Sequence, residues 1–372
     1  MRIFKTRIAV DIRDLKIAKT GARTYLKELC AEFEKEDQEF EFIFIGGRFQ
    51  NIIPTNTVVG KIEAMIRFLW WKQVAMPIIA KFKSCEIIFC TDFFVPLFHP
   101  GMVTIPVFHD AFFWEYKSHY SKFWQMIFNR LALPAAKKSP YIITPTHYTQ
   151  QQIAKYSGIA TEKIIPVYEA AMRTSKSVAF KMPTNKKYIL HVGTFEKRKN
   201  LPTLIKAYAQ FIKESGLDYD LVLVGQSSSK HFLDDTLAID NAIRESNLQD
   251  NIHKTGYVAD EALAQIYQQA SLYVFPSFNE GFGIPVIEAF QHKVPVLIAN
   301  NTCLPEIAAD AAISFDPYNS EELYQVMKQV LNDPTLQKSL QEKGLARAKQ
   351  FSWESAAVSI KSIFKNAVIP YL

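Results

Sequence analysis

Short runs of apolar residues alternate with longer segments in which apolar residues recur every three or four positions, almost throughout the chain. Runs of the first kind are typical of buried strands, and segments of the second kind are typical of helices that cover a sheet. In the first half, the predicted strands are Arg7–Ile12, Phe40–Ile45, Glu86–Phe89, Val103–Phe108, Tyr141–Thr144 and Ile164–Val167. The helical segments between them include Thr24–Glu36, Lys122–Ala136 and Thr149–Tyr156. This order predicts a parallel sheet covered by helices.

Polar residues without a strand or helix period occupy Arg173–Lys187, and we interpret this segment as an interdomain linker. A second series follows, with strands predicted at Tyr188–Val192, Leu221–Val224, Ile252–Thr255, Leu272–Phe275 and Val296–Ile298. We therefore expect two doubly wound α/β domains, residues 1–175 and 176–352. A last helix, in residues 353–372, is expected to pack back towards the first domain. Domains of this kind bind ligands at the carboxyl ends of their strands, here between the two domains.

Length and charge narrow the range of partners. The 372 residues suffice for two domains with a core each, and 48% of them are hydrophobic, as in globular proteins. The 43 Lys and Arg exceed the 37 Asp and Glu, for a net charge of +6. This balance suits phosphate-bearing ligands or an anionic membrane surface, and it is too small to indicate nucleic acid by itself.

The cysteines and the first residues of the chain indicate the cellular compartment of the protein. The four cysteines, Cys30, Cys85, Cys90 and Cys303, have neither Cys-x-x-Cys nor zinc spacing, which favours reduced thiols in a cytoplasmic protein without a metal site. Charged residues interrupt the first eight positions, so no signal peptide is predicted. No run approaches the ~20 apolar residues that a membrane span needs.

The segment Lys61–Lys83 is rich in Trp, Phe, Ile and Lys and has two interpretations. It could be an amphipathic helix that lies on a membrane, for example at the inner face of the cytoplasmic membrane. Alternatively, it is a core-packing helix that Pro77 interrupts before the next strand. Helical periodicity does not separate the two interpretations, so peripheral membrane contact is a hypothesis at this point.

The stretch Phe275–Phe290 carries the most informative chemistry. A strand leads into a glycine-containing loop that begins at Glu280, and Pro285 opens a helix with Glu288 in its first turns. Glycines here let backbone N–H groups approach a ligand, and a helix N-terminus attracts anions. Two carboxylates beside an anion site suit phosphates that carry sugars, because carboxylates accept hydrogen bonds from hydroxyls. The alternative is a helix-capping carboxylate and a surface Glu.

A second loop, Gly193–Pro202, also joins a strand to a helix. Arg198 and Lys199 are expected at the carboxyl edge of the second sheet. There a planar guanidinium and a point charge could together stabilise a diphosphate leaving group. Asn200 is predicted to cap the following helix. The alternative is a solvated basic loop.

Three further candidates rest on weaker patterns. His109 ends a predicted strand at the edge where the first domain should bind ligands, which favours sugar binding or transition-state electrostatics over a purely structural role. Gly21 resembles a glycine loop that opens a helix, and a tight turn explains it equally well. The backbone of Gly256, Tyr257 and Val258 could face a nucleotide base after the strand that precedes it.

Together and in this order, the motifs resemble the retaining glycosyltransferases of family four (glycosyl transferases group 1), over nearly the whole chain. Glu280–Glu288 is similar to the family's Glu-x7-Glu element. Gly193–Leu201 is similar to the Gly-Thr…Arg-Lys-Asn-Leu element of a mannosyltransferase-like branch. The resemblance implies the GT-B fold, in which two Rossmann-like domains face a central cleft. The first domain would bind the acceptor, and the second would bind the nucleotide sugar.

The resemblance also implies roles for individual residues. Arg198 and Lys199 would hold the diphosphate, and Glu288 would bind the ribose. Glu280 would contact the donor sugar, and His109 would lie by its reacting face. The implied catalytic residues are His109, Asp110 (as support for His109), Arg198, Lys199 and Glu280. The implied donor or acceptor contacts are Gly21, Gly193, Thr194, Gly256, Tyr257, Val258, Gly281, Phe282, Gly283, Ile284 and Glu288.

Two departures from the family pattern matter. Many relatives have further glycines beside the position of Gly21, so acceptor contacts there are in doubt. Many relatives also carry a basic residue directly after the position of Gly193, where this chain has Thr194. Arg198 is therefore expected to supply that charge.

The implied reaction moves a hexose from a nucleotide sugar to a hydroxyl, with retention at the anomeric carbon. The family works without a metal ion, and no other cofactor is expected. The Arg-Lys-Asn form resembles enzymes that use GDP-mannose, while UDP- and dTDP-sugars stay open. The acceptor would be a glycan or a lipid-linked glycan, as in O-antigen, lipopolysaccharide or capsule assembly. Two rival functions are a sugar-nucleotide epimerase of the same fold and a non-catalytic sugar-nucleotide-binding protein.

Overall fold

The computed structural model describes residues 5–17, 21–46, 57–116, 121–173, 181–228 and 232–368. The chain forms two compact units. The first comprises Met1–Glu169 and Trp353–Leu372, and the second comprises Ala170–Ser352. The division lies close to the predicted boundary at residue 175. Part of the predicted linker Arg173–Lys187 lies outside the described residues.

The first unit is built on a parallel sheet. Its strands are β1 (Thr6–Asp11), β2 (Phe40–Ile45), β3 (Ile87–Cys90), β4 (Val103–Pro106), β5 (Ile142–Thr144) and β6 (Ile164–Pro166). Four of them lie in the order β2-β1-β3-β4, and β5 pairs in parallel with β6. A bridge between Val107 and Ile143 connects the two sets. Every residue of β3 and β4 is buried, which explains their mostly apolar sequences.

Helices cover this sheet, and the C-terminal helix (Trp353–Val368) completes its core. The other helices are α1 (Asp14–Ile17), α2 (Gly21–Phe33), α3 (Val58–Trp70), α4 (Met76–Phe82), α5 (Phe112–Glu115), α6 (Lys122–Ile127), α7 (Leu133–Lys138) and α8 (His147–Ser157), with a 3₁₀ turn at Thr161–Lys163. The ring of Phe364 lies 6.3 Å from that of Phe33 and 5.3 Å from that of Phe89. The C-terminal helix therefore contributes large aromatic side chains to the first unit.

Two π-helical turns join helices of the first unit, and each precedes a proline. Trp71–Ala75 connects α3 to α4 before Pro77, and Phe128–Ala132 connects α6 to α7 before Pro134. Proline lacks an N–H, and its ring clashes with the carbonyl four residues back. A π turn bonds instead to the carbonyl five residues back, which relieves this conflict. The predicted interruption at Pro77 is therefore wrong, because the helical segment continues to Phe82.

The second unit contains a six-stranded parallel sheet. Its strands are β7 (Tyr188–Val192), β8 (Asp220–Val224), β9 (Ile252–Gly256), β10 (Leu272–Phe275), β11 (Val296–Ala299) and β12 (Ile313–Phe315). They lie in the order β12-β11-β10-β7-β8-β9. This is the doubly wound arrangement of dinucleotide-binding folds, in which the strand order reverses between β7 and β10. Ligands bind at such a switch point, beyond the carboxyl ends of the strands.

In the described part of the second unit, seven helices cover the sheet. They are α9 (Leu201–Ser215), α10 (Thr236–Ser246), α11 (Asp260–Gln269), α12 (Ile284–Gln291), α13 (Leu304–Ala308), α14 (Ser320–Asn332) and α15 (Pro334–Ala348), with a 3₁₀ turn at Lys197–Lys199 before α9. Buried residues of α9 and α14 pack with those of β7 and β8 in one apolar core. This core holds the ends of β7 and β10 side by side.

Candidate active site

Two loops of the second unit meet at the switch point, one after β7 and one after β10. The N–H of Phe278 donates to the carbonyl of Arg198 over 2.7 Å. The side-chain amide of Asn200 donates to the carbonyls of Pro276 (3.0 Å) and Pro317 (2.8 Å). Its backbone is left-handed, with φ of 56°, which Asn adopts more readily than most residues. Asn200 is the N-cap residue of α9, as predicted, but its side chain bonds to no backbone N–H of the helix. Its Oδ1 accepts a hydrogen bond from the hydroxyl of Thr203 over 2.6 Å, and its amide ties the loops together.

The carboxylate of Glu280 lies between two cations of the opposite loop. Its Oε1 accepts a hydrogen bond from Lys199 Nζ over 2.7 Å, and its Oε2 lies 2.8 Å from the guanidinium of Arg198. Arg198 also donates from Nε to Glu196 over 2.9 Å. Lys199 Nζ lies 4.7 Å from the centre of the Phe275 ring. We call Arg198, Lys199 and Glu280 the cation cluster.

Burial and pairing decide the charges of the cation cluster. Burial alone would raise the pKa of Glu280, but Arg198 and Lys199 lower it to about 2. Burial would lower the pKa of Arg198, but Glu280 and Glu196 raise it, so the guanidinium stays charged. Burial lowers the pKa of Lys199, and its ion pair with Glu280 only partly compensates. An anion bound near Lys199 would therefore stabilise its charged form.

The cluster changes how its members are interpreted. Sequence reasoning assigned Glu280 to the donor sugar, and it assigned the two cations independently to the diphosphate. In the structure both oxygens of Glu280 already bind the cations, so Glu280 holds them in place. The side chain of Arg198 is 24% exposed, whereas that of Lys199 is 7% exposed. Arg198 is thus the more accessible cation.

The glycine-containing loop ends at Gly283, which precedes the first residue of α12. Gly283 has φ of 100°, and a Cβ at this position would lie 3.0 Å from Leu304 Cδ2. Both features require glycine. Pro285 occupies the first turn of α12, as predicted, and Gly281 is half-buried. The loop therefore reaches the helix with its backbone closely packed.

Phe282 and Ile284 were both predicted to contact a ligand, and their burial limits how a ligand could reach them. The side chain of Phe282 is buried, and its ring lies 5.8 Å from that of Phe351. A ligand could therefore meet Phe282 only through its backbone. Ile284 is half-buried at the start of α12.

A pair of glycines brings the loops after β7 and β8 together. The N–H of Gly193 donates to the carbonyl of Val224 over 2.9 Å. Gly225 has φ of 147°, and a Cβ there would lie 1.8 Å from the Gly193 oxygen. Thr194 is half-buried, and its carbonyl accepts a hydrogen bond from the N–H of Glu196. Sequence reasoning missed Gly225, although a glycine directly after a strand was the available signal.

Glu288 lies on α12 beside a small cavity that Tyr267 and His292 also line. The hydroxyl of Tyr267 donates to Glu288 Oε2 over 3.0 Å. Burial raises the pKa of Glu288 to about 7, and Asp260 adds to the effect. Glu288 therefore exchanges a proton near neutral pH, whereas Glu280 stays ionised. Tyr267 was missed because nothing in the sequence of α11 sets it apart from other buried aromatics.

Gly256, the last residue of β9, and the two residues that follow it have different surroundings. Gly256 has φ of 71°, and its carbonyl accepts a hydrogen bond from the N–H of Gly225 over 3.0 Å. Val258 is buried, and Tyr257 is 65% exposed. Of the three residues predicted to face a base, Tyr257 therefore offers an accessible side chain.

His109 lies after β4 in the first unit, and acceptors approach both of its ring nitrogens. Nδ1 lies 3.1 Å from Glu169 Oε1, and Nε2 lies 3.1 Å from the carbonyl of Thr91. An ionised carboxylate and a carbonyl only accept hydrogen bonds, so the ring donates twice, as an imidazolium. Burial would lower the pKa of His109, but the hydrogen bond and charge of Glu169 raise it. The edge of the Tyr25 ring completes this site, with ring centroids 4.8 Å apart.

Asp110 and Gly21 are the remaining candidates in the first unit. The carboxylate of Asp110 accepts a hydrogen bond from the N–H of Phe112 over 2.9 Å, and it adds negative charge near His109. The direct contact to the ring comes from Glu169, which sequence reasoning missed because 60 positions separate the pair. Gly21 is the exposed first residue of α2, and the loop residues 18–20 lie outside the described part of the chain.

Replacing Glu169 by glutamine is expected to lower the pKa of His109, because the amide oxygen still accepts a hydrogen bond but the negative charge is gone. Titration of the His109 ring proton by NMR measures this directly. Glu162→Gln, on the exposed 3₁₀ turn, is the matched control and should leave the titration unchanged. An unshifted His109 in Glu169→Gln would contradict the pairing.

Most of the second unit matches a known protein family. Residues 172–347 match the family described as glycosyl transferases group 1. This segment, 176 of the chain's 372 residues, carries the domain of this glycosyltransferase family. The matched segment contains the cation cluster, Glu288 and all six strands of the second sheet. The prediction of a glycosyltransferase is thereby confirmed.

Relatives of this glycosyltransferase match both units. It is 29% identical over 285 residues to O-antigen chain mannosyltransferase B of Escherichia coli, which covers 74% of this chain and 72% of that protein. It is 27% identical over 269 residues to the serotype-specific mannosyltransferase WbdA of Escherichia coli, which covers 68% of this chain and 32% of that protein. The aligned segment thus spans about a third of WbdA.

A solved structure extends the similarity to the fold of nearly the whole glycosyltransferase. Anabaena HepE, in complex with UDP and glucose, has a TM-score of 0.70 at 16% identity, over 97% of this chain and 100% of that chain. The predicted GT-B class, with a parallel α/β sheet in each unit, is confirmed. Among the described residues, no helix has the length and apolar character needed to cross a membrane.

Proposed function

We propose that this glycosyltransferase moves a hexose from a nucleoside diphosphate sugar to a hydroxyl of a glycan or lipid-linked acceptor, with retention at the anomeric carbon. We further propose GDP-mannose as the donor and cell-surface polysaccharide as the product class. The similarity to an O-antigen chain mannosyltransferase supports this choice. The single observation that carries the proposal is the cation cluster at the switch point of the second sheet.

The cation cluster suits a departing diphosphate. Negative charge grows on the leaving oxygen as the bond to the sugar breaks, and preorganised cations in a water-poor site stabilise that charge strongly. Arg198 offers a planar fork to phosphate oxygens, and Lys199 offers a compact charge. Glu280 fixes both before the donor arrives, so little reorganisation is needed during the reaction.

The same geometry bears on the proton that leaves the acceptor hydroxyl. A carboxylate with a pKa of about 2 is a weak base, so Glu280 does not suit that role at neutral pH. The departing phosphate is a stronger base and would lie beside the attacking hydroxyl on the same face of the sugar. We therefore infer front-face attack, with the leaving group accepting the proton. His109, as an imidazolium held by Glu169, would add electrostatic stabilisation.

A thermal-shift screen against GDP-, UDP-, dTDP- and ADP-sugars tests the donor, because a ligand that binds the folded state raises the apparent stability. The largest shift is expected for GDP-mannose. NMR of the product should then show the anomeric configuration of the donor. Release of an epimerised sugar without an acceptor would favour the epimerase, and binding without turnover would favour a non-catalytic protein.

Metal independence has its own test. We propose that Arg198 and Lys199 supply the positive charge that a divalent ion supplies in other transferases. Activity is therefore expected to survive treatment with EDTA and not to rise when Mg²⁺ or Mn²⁺ is restored. Loss with EDTA and recovery with either ion would contradict this part of the proposal.

Nucleotide binding is expected to release a proton through Glu288. If ribose hydroxyls donate to this carboxylate, they stabilise its charged form and lower its pKa from about 7. At pH 6.5 the release should approach ~0.8 proton per nucleotide, from the fraction of carboxyl groups still protonated. Calorimetry in buffers of different ionisation enthalpy measures the release.

Glu288→Gln should abolish this proton release and weaken nucleotide binding. Glu261→Gln, exposed on α11, is the matched control and should behave as the parent enzyme. Proton release that persists in Glu288→Gln, or an unchanged Kd, would contradict a ribose contact by Glu288.

A further inference from the structure

We propose that a stripe of exposed apolar side chains on the helical segment α3–α4 docks this enzyme on a bilayer with anionic headgroups. The stripe consists of Val59, Ile62, Ile66, Trp70, Val74, Ile78 and Phe82. Its members are between 42% and 87% exposed. Isolated exposed apolar residues are ordinary on protein surfaces, whereas a contiguous set marks an interaction site.

The spacing of the stripe places its members on one side of the helical segment. Successive members are three or four positions apart, which is one helical turn. The π turn Trp71–Ala75 extends this spacing without a break, because Trp70, Val74 and Ile78 remain exposed across it. From Val59 to Phe82 the stripe is ~35 Å long at 1.5 Å per residue. A long, straight apolar edge suits a flat surface better than a pocket or a short peptide.

The opposite side of the same segment explains why the stripe is not part of the core. Trp71, Met76 and Ala80 are buried against β1 and β3, in one apolar cluster. Lys72 is buried as well, and its Nζ lies 2.7 Å from Asp11 and 2.8 Å from Asp92. The segment is therefore anchored to the first unit by its inner side. The two interpretations of Lys61–Lys83 each describe one side of it.

Neighbouring elements widen the apolar surface. Gln73 bonds through its side chain to the N–H of Leu97 over 2.9 Å, and the next residue, Phe98, is 75% exposed. Phe68 of the same segment and Trp124 of α6 pack against the core of the first unit, with ring centroids 5.9 Å apart. Phe123, also on α6, is 51% exposed. The apolar surface thus extends beyond a single helix.

Charge decides which occupant fits this surface. The first unit carries 24 Lys and Arg against 17 Asp and Glu, a net charge of +7, whereas the second carries 19 against 20, a net charge of −1. Lys81 and Lys83 are exposed at the end of the stripe. Anionic lipids attract such a surface, and apolar side chains then enter the headgroup boundary. Two copies with the same positive charge would repel each other, which disfavours a dimer through the stripe.

Docking would bring the enzyme to an acceptor whose lipid is embedded in the same membrane. For the identity of that acceptor the inference rests on the proposed function. The docking surface itself rests on the exposure and charge of the first unit. A failed donor assignment would therefore leave the docking result intact, and the reverse also holds.

Vesicle flotation tests the inference with the full-length enzyme. The vesicles are phosphatidylcholine alone, or phosphatidylcholine with phosphatidylglycerol. We expect binding to the anionic vesicles at least ~10-fold tighter than to neutral ones, and weaker binding at high salt because salt screens the attraction. The variant Ile66→Gln/Phe82→Gln should bind anionic vesicles at least ~10-fold more weakly, since two apolar side chains lose their burial. The matched control is Leu237→Gln/Val358→Gln, which changes two equally exposed apolar residues elsewhere.

Each outcome bears on the inference. All variants should keep the parent melting temperature and the parent thermal shift with donor, which shows that folding and the donor site are intact. Binding of the stripe variant equal to that of the parent, or absent binding of the parent to anionic vesicles, would overturn the inference. Analytical ultracentrifugation without vesicles should show a monomer. A dimer that Ile66→Gln/Phe82→Gln abolishes would assign the stripe to a second copy and also overturn it.

Discussion

Replacing Lys199 by methionine is expected to lower kcat by ~10²-fold or more while the fold is retained. Lys199 Nζ lies 2.7 Å from Glu280, and its side chain is almost wholly buried. The loss of one positive charge in such a site weakens the stabilisation of the leaving diphosphate, which matters more in the transition state than in the bound donor. Methionine fills most of the same volume, and Glu280 keeps Arg198 as its partner. The effect should therefore fall on kcat more than on KM.

Lys197→Met is the matched control for this experiment. Lys197 lies on the same 3₁₀ turn and is exposed, so its removal subtracts the same charge outside the site. Steady-state kinetics should show the control close to the parent enzyme, and thermal melts should show both variants folded. A stable Lys199→Met enzyme with parental kcat would exclude Lys199 from the stabilisation of the leaving group.

Replacing Glu280 by glutamine is expected to shift the basic limb of the pH–activity profile to lower pH and to reduce activity at neutral pH. Burial already lowers the pKa of Lys199, and Glu280 works against this shift. Without the carboxylate, the pKa of Lys199 falls further, so the charged amine that the reaction needs is lost at a lower pH.

The Glu280→Gln variant is also expected to be less stable, because a buried charge left without its partner destabilises the fold, by about 3–5 kcal/mol in comparable cases. Urea unfolding measures this second effect.

The variant Glu196→Gln distinguishes the contribution of Arg198 from that of Lys199. Glu196 contacts Arg198 over 2.9 Å, while the carboxylate 2.7 Å from Lys199 is that of Glu280. This control should reduce activity less than Glu280→Gln. It should also shift the basic limb by less, because Glu196 raises the pKa of Lys199 less than Glu280 does. If the basic limb of Glu280→Gln coincided with that of the parent enzyme, Lys199 would not be the group that titrates there.

The strands were predictable because both series are buried on two faces. The residues of β3, β8, β10 and β11 are all buried in the structure, and their apolar runs are visible without any tertiary information. Whether a helix continues past a proline was harder to predict. A proline such as Pro77 usually ends a helix, but the π turn Trp71–Ala75 before it lets the helical segment continue. Whether a chain uses that solution depends on how both sides of the proline are packed.

The candidate site was predictable where its residues lie in one loop. Arg198, Lys199 and Glu280 stand out because each follows a strand and precedes a helix, and Glu288 lies in the helix that the loop of Glu280 opens. Glu169 has no such context, and it meets His109 only because the first unit folds them together. Gly225 and Tyr267 are similar cases, since the contact that makes each of them matter comes from another strand or helix.

The class of the fold, the order of its elements and the charged residues at the ends of the strands could all be predicted from the amino-acid sequence. These features depend on patterns of apolar residues and on loop composition, which are visible among residues close in sequence. Which charges neutralise one another became clear from the three-dimensional contacts. Glu280 and Glu288 both looked like ligands for sugar hydroxyls, yet two cations hold the pKa of the first near 2, and burial raises that of the second to about 7. The difference comes from the cations that folding brings to Glu280, one of them 81 positions away in the sequence, and from the burial of Glu288. A local pattern contains neither.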